Sequence, residues 1–147
     1  MRARLVQPAL FAAGLFACAA VQADERAFVT NQSAQTVSVV ALPQMAVLAT
    51  LAVAGKPAGV AAAPDGRRVY VSSPEGPFVT VLGTDPPAVL RQIALEGGPL
   101  GIAVHPSGKP LYVADWYAGR VFVIDPDSGA RMAELETGAS PSGLALS

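Results

Sequence analysis

Pro57-Ala58-Gly59-Val60-Ala61-Ala62-Ala63-Pro64-Asp65-Gly66-Arg67-Arg68-Val69-Tyr70-Val71-Ser72 returns 42 residues later as Pro99-Leu100-Gly101-Ile102-Ala103-Val104-His105-Pro106-Ser107-Gly108-Lys109-Pro110-Leu111-Tyr112-Val113-Ala114. The interval holds outward in both directions. Pro57 and Pro99 are joined by Pro141, and Gly59 and Gly101 by Gly143. Phe28 precedes Tyr70 and Tyr112 at the same spacing, and Val37, Val79 and Val121 form another series. No gap is needed from Phe28 to Ser147. A fixed period of this length marks a repeat architecture, in which each unit is one supersecondary block.

Each unit carries four short strand signals separated by turn residues. In the second unit they are Gly59–Ala63, Val69–Ser72, Phe78–Leu82 and Val89–Leu95. The third repeats them as Gly101–His105, Leu111–Ala114, Arg120–Ile124 and Arg131–Leu135. Alternation such as Val79/Val81 and Val121/Val123 predicts half-buried strands. Pro64-Asp65-Gly66 and Pro106-Ser107-Gly108 supply the fixed φ, the local side-chain bond and the positive φ of a tight turn. Four antiparallel strands in a unit of about 40–45 residues is the arithmetic of a β-propeller blade. Glycine at 59, 101 and 143 fits an innermost strand crowded about a shared axis. Solenoid repeats are usually shorter, and sandwiches lack a fixed period. The expected fold is therefore all-β, with about three blades over residues 24–147 and repeats near 28–69, 70–111 and 112–147.

Phe28-Val29-Thr30-Asn31 followed by Thr36-Val37-Ser38-Val39-Val40 resembles the YVTN β-propeller repeat. Gly55-Lys56-Pro57-Ala58-Gly59-Val60-Ala61, Pro64-Asp65-Gly66 and Val121-Phe122-Val123-Ile124-Asp125 extend the likeness along the chain. The resemblance implies the fold and leaves the activity open. Proteins with such repeats include periplasmic accessory proteins of quinone-dependent alcohol oxidation and cell-surface proteins, often with protein partners. His105-Pro106-Ser107-Gly108-Lys109 before Leu111-Tyr112-Val113-Ala114 is also similar to repeats of sugar-lactone hydrolases. Amine dehydrogenase heavy chains and haem-binding nitrite reductase propellers are similar at the same level.

The strand count poses a closure problem. The first unit lacks an innermost strand, and Ser142–Ser147 reads as an innermost strand alone. Exchange between chain ends would give three blades, fewer than the roughly 4–8 of natural propellers. Two expectations follow: a fragment of a ring of about seven blades, or a homodimer whose end strands complete a six-bladed ring. Unpaired edges invite such pairing.

Residues 1–23 read as a signal peptide. Arg2 and Arg4 open it, Leu5 to Ala20 carry no charge, and Val21-Gln22-Ala23 ends it before Asp24. The expected location is the periplasm or outside the cell, with no membrane span after cleavage. Alternatives are an uncleaved anchor and a lipoprotein modified at Cys18. Cys18 is the only cysteine, so the processed chain would have no disulfide, thiolate nucleophile or cysteine metal site. Removing Arg2 and Arg4 leaves 8 Lys and Arg against 11 Asp and Glu, a net of −3. That mild acidity disfavours a nucleic-acid partner.

Turns after the second and fourth strands of each unit share one face, where ligands of such folds usually bind. Asp115-Trp116-Tyr117 is its most suggestive group, because adjacent aromatics beside a carboxylate suit recognition. Packing against a neighbouring blade is the plainer role for one ring. Lys56 could meet an anion, and Asn31 lies on the same face. His105 is the lone histidine and offers neither a metal set nor a general-base pair. Asp125, Asp127, Glu134 and Glu136 could hold calcium or form a solvated outer face. No catalytic residue, metal site or cofactor fingerprint emerges. The expected function is a non-enzymatic binding and interaction module with protein partners, or its own copies, bound through edge strands.

Overall fold

The computed structural model describes residues 25–147. The signal segment at 1–23 and Cys18 lie outside them. Eleven strands run in order: β1 (Arg26–Asn31), β2 (Thr36–Ala41), β3 (Ala46–Ala52), β4 (Val60–Ala62), β5 (Arg68–Ser73), β6 (Phe78–Thr84), β7 (Pro87–Ala94), β8 (Pro99–Val104), β9 (Leu111–Asp115), β10 (Arg120–Ile124) and β11 (Arg131–Glu136). Among the described residues there is no helix, and hence none long and apolar enough to cross a membrane. The strands form three antiparallel meanders: β1-β2-β3, β4-β5-β6-β7 and β8-β9-β10-β11. Among the described residues the first has three strands. Ser142–Ser147, expected as an innermost strand, has no strand partner.

Local chemistry sets the turns. Gly66 and Gly108 take the positive φ required between first and second strands, and Asp65 Oδ1 accepts the Arg67 N–H at 3.0 Å. A bulge recurs in the outermost strand pair of every sheet, between Val39/Val40, Val81/Leu82 and Val123/Ile124. Leu48, Leu90 and Met132 are the skipped residues, all exposed and all one period apart. Bulges bend a strand and increase its twist.

The core lies between the sheets. Val69, Val71 and Leu82 of the second sheet pack with Val37 and Val53 of the first unit. Its other face presents Tyr70, Val79, Val81 and Ile93 to Leu111, Val113, Phe122 and Ile124 of the third sheet. β5 and β6 are thus buried on both faces, rather than half-buried as alternation predicts. Alternate residues are divided between two neighbouring sheets, not between core and water.

Three contacts knit successive sheets at matching positions. A Cβ on Gly59 would overlap the Leu100 carbonyl oxygen, and one on Gly101 would meet Ser142 O at 2.7 Å, so only glycine permits this approach. Beside it, Thr30 Oγ1 donates to Ala58 O at 2.9 Å, and Ser72 Oγ donates to Leu100 O one period later. At the opposite edge Arg26 pairs with Asp85 at 3.8 Å, and Arg68 with Asp127 at 2.7 Å. In the third unit the donor positions hold Ala114 and Pro110, which can make neither bond.

Candidate functional site

Asn31, Ser73 and Asp115 end β1, β5 and β9 and occupy one position of the repeat. They open the turns of the expected ligand face, and their side chains are satisfied to different degrees. Asn31 Nδ2 donates to Thr36 Oγ1 at 3.1 Å and to Ser38 Oγ at 2.8 Å. The Ser73 hydroxyl is buried without a hydrogen-bond partner. Asp115 is wholly buried, and its Oδ1 accepts the N–H groups of Gly98 at 2.9 Å, Tyr117 at 3.1 Å and Ala118 at 3.3 Å. Arg120 Nε reaches its Oδ2 at 3.0 Å. Burial pushes the Asp115 pKa up, but these donors outweigh it and hold the carboxyl below its usual range.

Arg120 also links to Glu134 at 2.9 Å and lies over the Phe122 ring, 4.7 Å from its centroid. Arg131 binds Glu134 and Glu96, at 2.9 and 2.6 Å, and covers the same ring. The chain of charges Asp115–Arg120–Glu134–Arg131–Glu96 therefore closes one end of the junction between second and third sheets. Neither Arg120 nor Glu96 stands out by residue type alone. Their signal is departure from the repeat, since Arg120 replaces Thr36 and Phe78 of the earlier units.

The aromatic pair separates. Tyr117 is 69% exposed and Trp116 37%. The Tyr117 ring lies over Gly98, where a Cβ would overlap it. One unit earlier the same place holds an ion pair, Lys56 Nζ to Glu75 Oε1 at 2.6 Å. A 560 Å³ cleft opens beside Tyr117, lined by Gly119, Arg120, Glu134, Glu136 and Thr137. Of the five candidates, the structure brings Asp115, Trp116 and Tyr117 to one turn, while Asn31 bonds to β2 within the first sheet and Lys56 to Glu75.

A second group of charges lies on the opposite face. Asp127 accepts from Lys109 Nζ at 2.8 Å and Arg68 Nη1 at 2.7 Å, which lower its pKa to about 2. Asp125 Oδ1 caps its own turn, accepting the N–H of Asp127 at 2.8 Å and of Ser128 at 3.1 Å. His105 Nδ1 lies 2.8 Å from Ser107 Oγ on an exposed turn. Among the described residues no three acidic, histidine or cysteine side chains gather to hold a metal ion.

No protein-family model matches the sequence, and no curated protein does. Solved structures do. Kuenenia stuttgartiensis hydrazine synthase is 28% identical with a TM-score of 0.74, over 79% of this chain and 34% of that one. Dihydro-heme d1 dehydrogenase NirN, solved in complex with DHE, is 19% identical with a TM-score of 0.64, over 74% of this chain and 23% of that one. The chain thus spans about a third and about a quarter of these two relatives. Both are propeller proteins, and the present fold is propeller-like.

Proposed function

We propose that this chain is an exported propeller module of the YVTN type, acting by binding a protein partner in the periplasm or outside the cell. One observation supports this above others. Lys56, Asp115, Arg120 and Glu134 on the expected ligand face are engaged in holding the fold, while Trp116 and Tyr117 stay accessible, Tyr117 beside an open cleft. Exposed aromatics anchor interfaces, whereas a catalytic face needs acids or bases free to meet substrate. A role accessory to quinone-dependent oxidation is the context the resemblance implies. The test is capture from a periplasmic extract by the wild-type chain and by Trp116→Ala/Tyr117→Ala. Proteins held by the first and lost by the second are expected. Equal recovery by both, or no specific recovery, would overturn the reading.

The second reading is part of a propeller enzyme, such as a cofactor-binding dehydrogenase subunit or a sugar-lactone hydrolase. The enzymatic names of both structural relatives favour it. Haem added to the purified chain separates the cofactor form of this reading from the first, through a saturable change in the haem absorbance band. Lactone hydrolysis abolished by His105→Ala would favour the hydrolase form.

A further inference from the structure

Two junctions built on one repeat differ in what fills them toward the outer strands. Between the second and third sheets Phe122 is wholly buried, in a group with Ala94, Leu95, Glu96 and Arg131. Arg120 and Arg131 both lie over its ring. Between the first and second sheets the same positions, 42 residues earlier, are Thr80, Ala52, Val53, Ala54 and Val89. They line a cleft of 350 Å³ together with Gln35 and Gln92. Where the repeat carries a benzene ring at 122, it carries only a hydroxyl and a methyl group at 80.

The charges leave with the ring. Arg120, Arg131, Glu134 and Glu96 make up the ion-pair network about Phe122, and their counterparts are Phe78, Val89, Gln92 and Ala54. Among the described residues no charged side chain lines the earlier cleft. Such a lining cannot compensate a charged ligand for lost water, and it suits an uncharged one. Phe122 itself gives the shape, as the group for which this place in the repeat has room. Clefts from about 300 Å³ upward hold small molecules, and an apolar cavity of about 150 Å³ suffices for benzene.

A second observation points to a polar atom on the ligand. Thr80 is 1% exposed, and its hydroxyl is buried without a hydrogen-bond partner. Leaving a buried hydroxyl unpaired is costly, so an oxygen brought to it is favoured. The side chain lines the cleft, and a step between staggered χ1 wells moves Oγ1 to the place of Cγ2. The walls are set in advance. Gln35 O accepts the Val53 N–H at 2.9 Å, and Gln35 Oε1 accepts the Gly55 N–H at 3.2 Å. Binding therefore has little to order.

We propose that this cleft binds a small uncharged phenol, with the ring against Val53 and Val89 and the hydroxyl bonded to Thr80 Oγ1. The site lies between the first two sheets, whereas Trp116 and Tyr117 belong to the third, so it stands apart from capture of a protein by those rings.

The test titrates phenol and toluene into the purified, isotope-labelled chain and follows the amide chemical shifts. Phenol should shift the amides of Gln35, Val53 and Thr80 saturably. It should bind more tightly than toluene by up to about tenfold, the worth of one hydrogen bond. Thr80→Val keeps the shape without the hydroxyl and should bring the two ligands to equal affinity. Thr80→Phe supplies the ring found at 122 and should abolish binding of both. Trp116→Ala/Tyr117→Ala should bind phenol as wild type does. No saturable shift at these amides, a folded Thr80→Phe that still binds phenol, or a preference for phenol kept in Thr80→Val would overturn the proposal, as would loss of binding in the aromatic variant. If Thr80→Phe does not fold, the Thr80→Val comparison decides alone.

Discussion

Asn31, Ser73 and Asp115 show how one repeat position is adapted to its neighbours. The position ends a strand and must satisfy the turn that follows. Asp115 does so with a buried carboxylate shared by three N–H groups and a guanidinium. Removing one partner of such a buried set strands the others. Asp115→Ala should therefore cost about 3–5 kcal/mol. Asp115→Asn keeps the Oδ1 acceptor but turns an amide toward Arg120, and should cost about 1–3 kcal/mol. Urea unfolding of the three proteins checks that order. Ser73 is the converse case, because its buried hydroxyl bonds to nothing. Ser73→Ala should leave the urea midpoint unchanged or raise it, by at most about 1 kcal/mol in stability. The sequence marks Asp115 as polar beside two aromatics. It does not reveal that the carboxylate is consumed, since that depends on Gly98 and Arg120 arriving from other elements.

At the scale of elements, the strands were legible because their signal is local. Pro64-Asp65-Gly66 and Pro106-Ser107-Gly108 dictate turns wherever they stand, and runs such as Val69–Ser72 favour extended chain. The depth of burial was not legible, because β6 has sheets on both sides and pattern alone sees only one core. Nor were the bonds between sheets, which join residues 28 positions apart: Thr30 to Ala58 and Ser72 to Leu100. They became visible only once the sheets were set side by side. Ala114 breaks the series, facing the region of Ser142 O without a hydroxyl. Ala114→Ser should restore the bond and add about 1 kcal/mol of stability. Ser72→Ala should lose about 1–3 kcal/mol, since the bonds to Leu100 O and from Gly59 N would go unmade. Thermal unfolding of the two variants, moving in opposite directions, is the measurement. Two shifts of the same sign would refute the repeated bond.

For the whole molecule, the period predicts radially packed sheets, and the propeller-like fold bears out that coarse reading. What it omits is how the junctions answer to pH. The second and third sheets are held at one edge by Asp127, with Lys109 and Arg68 as donors. Those cations stabilise the carboxylate and lower its pKa from 3.8 to about 2. A depressed folded pKa contributes stability above the unfolded value and forfeits it as pH falls through the folded one. The contribution of Asp127 is therefore complete above about pH 5, declines below about pH 4 and is gone near pH 1. Asp115 adds in the same direction, its pKa also lying below the ordinary carboxyl value. Melting temperature followed from pH 6 to pH 2 should fall more steeply for wild type than for Asp127→Asn, which has no carboxyl to titrate at that edge. Because Lys109 and Asp127 are about half exposed, added salt should narrow the gap between the two curves. Parallel curves at low salt would mean that the ion pair spanning these sheets does not contribute to holding them together.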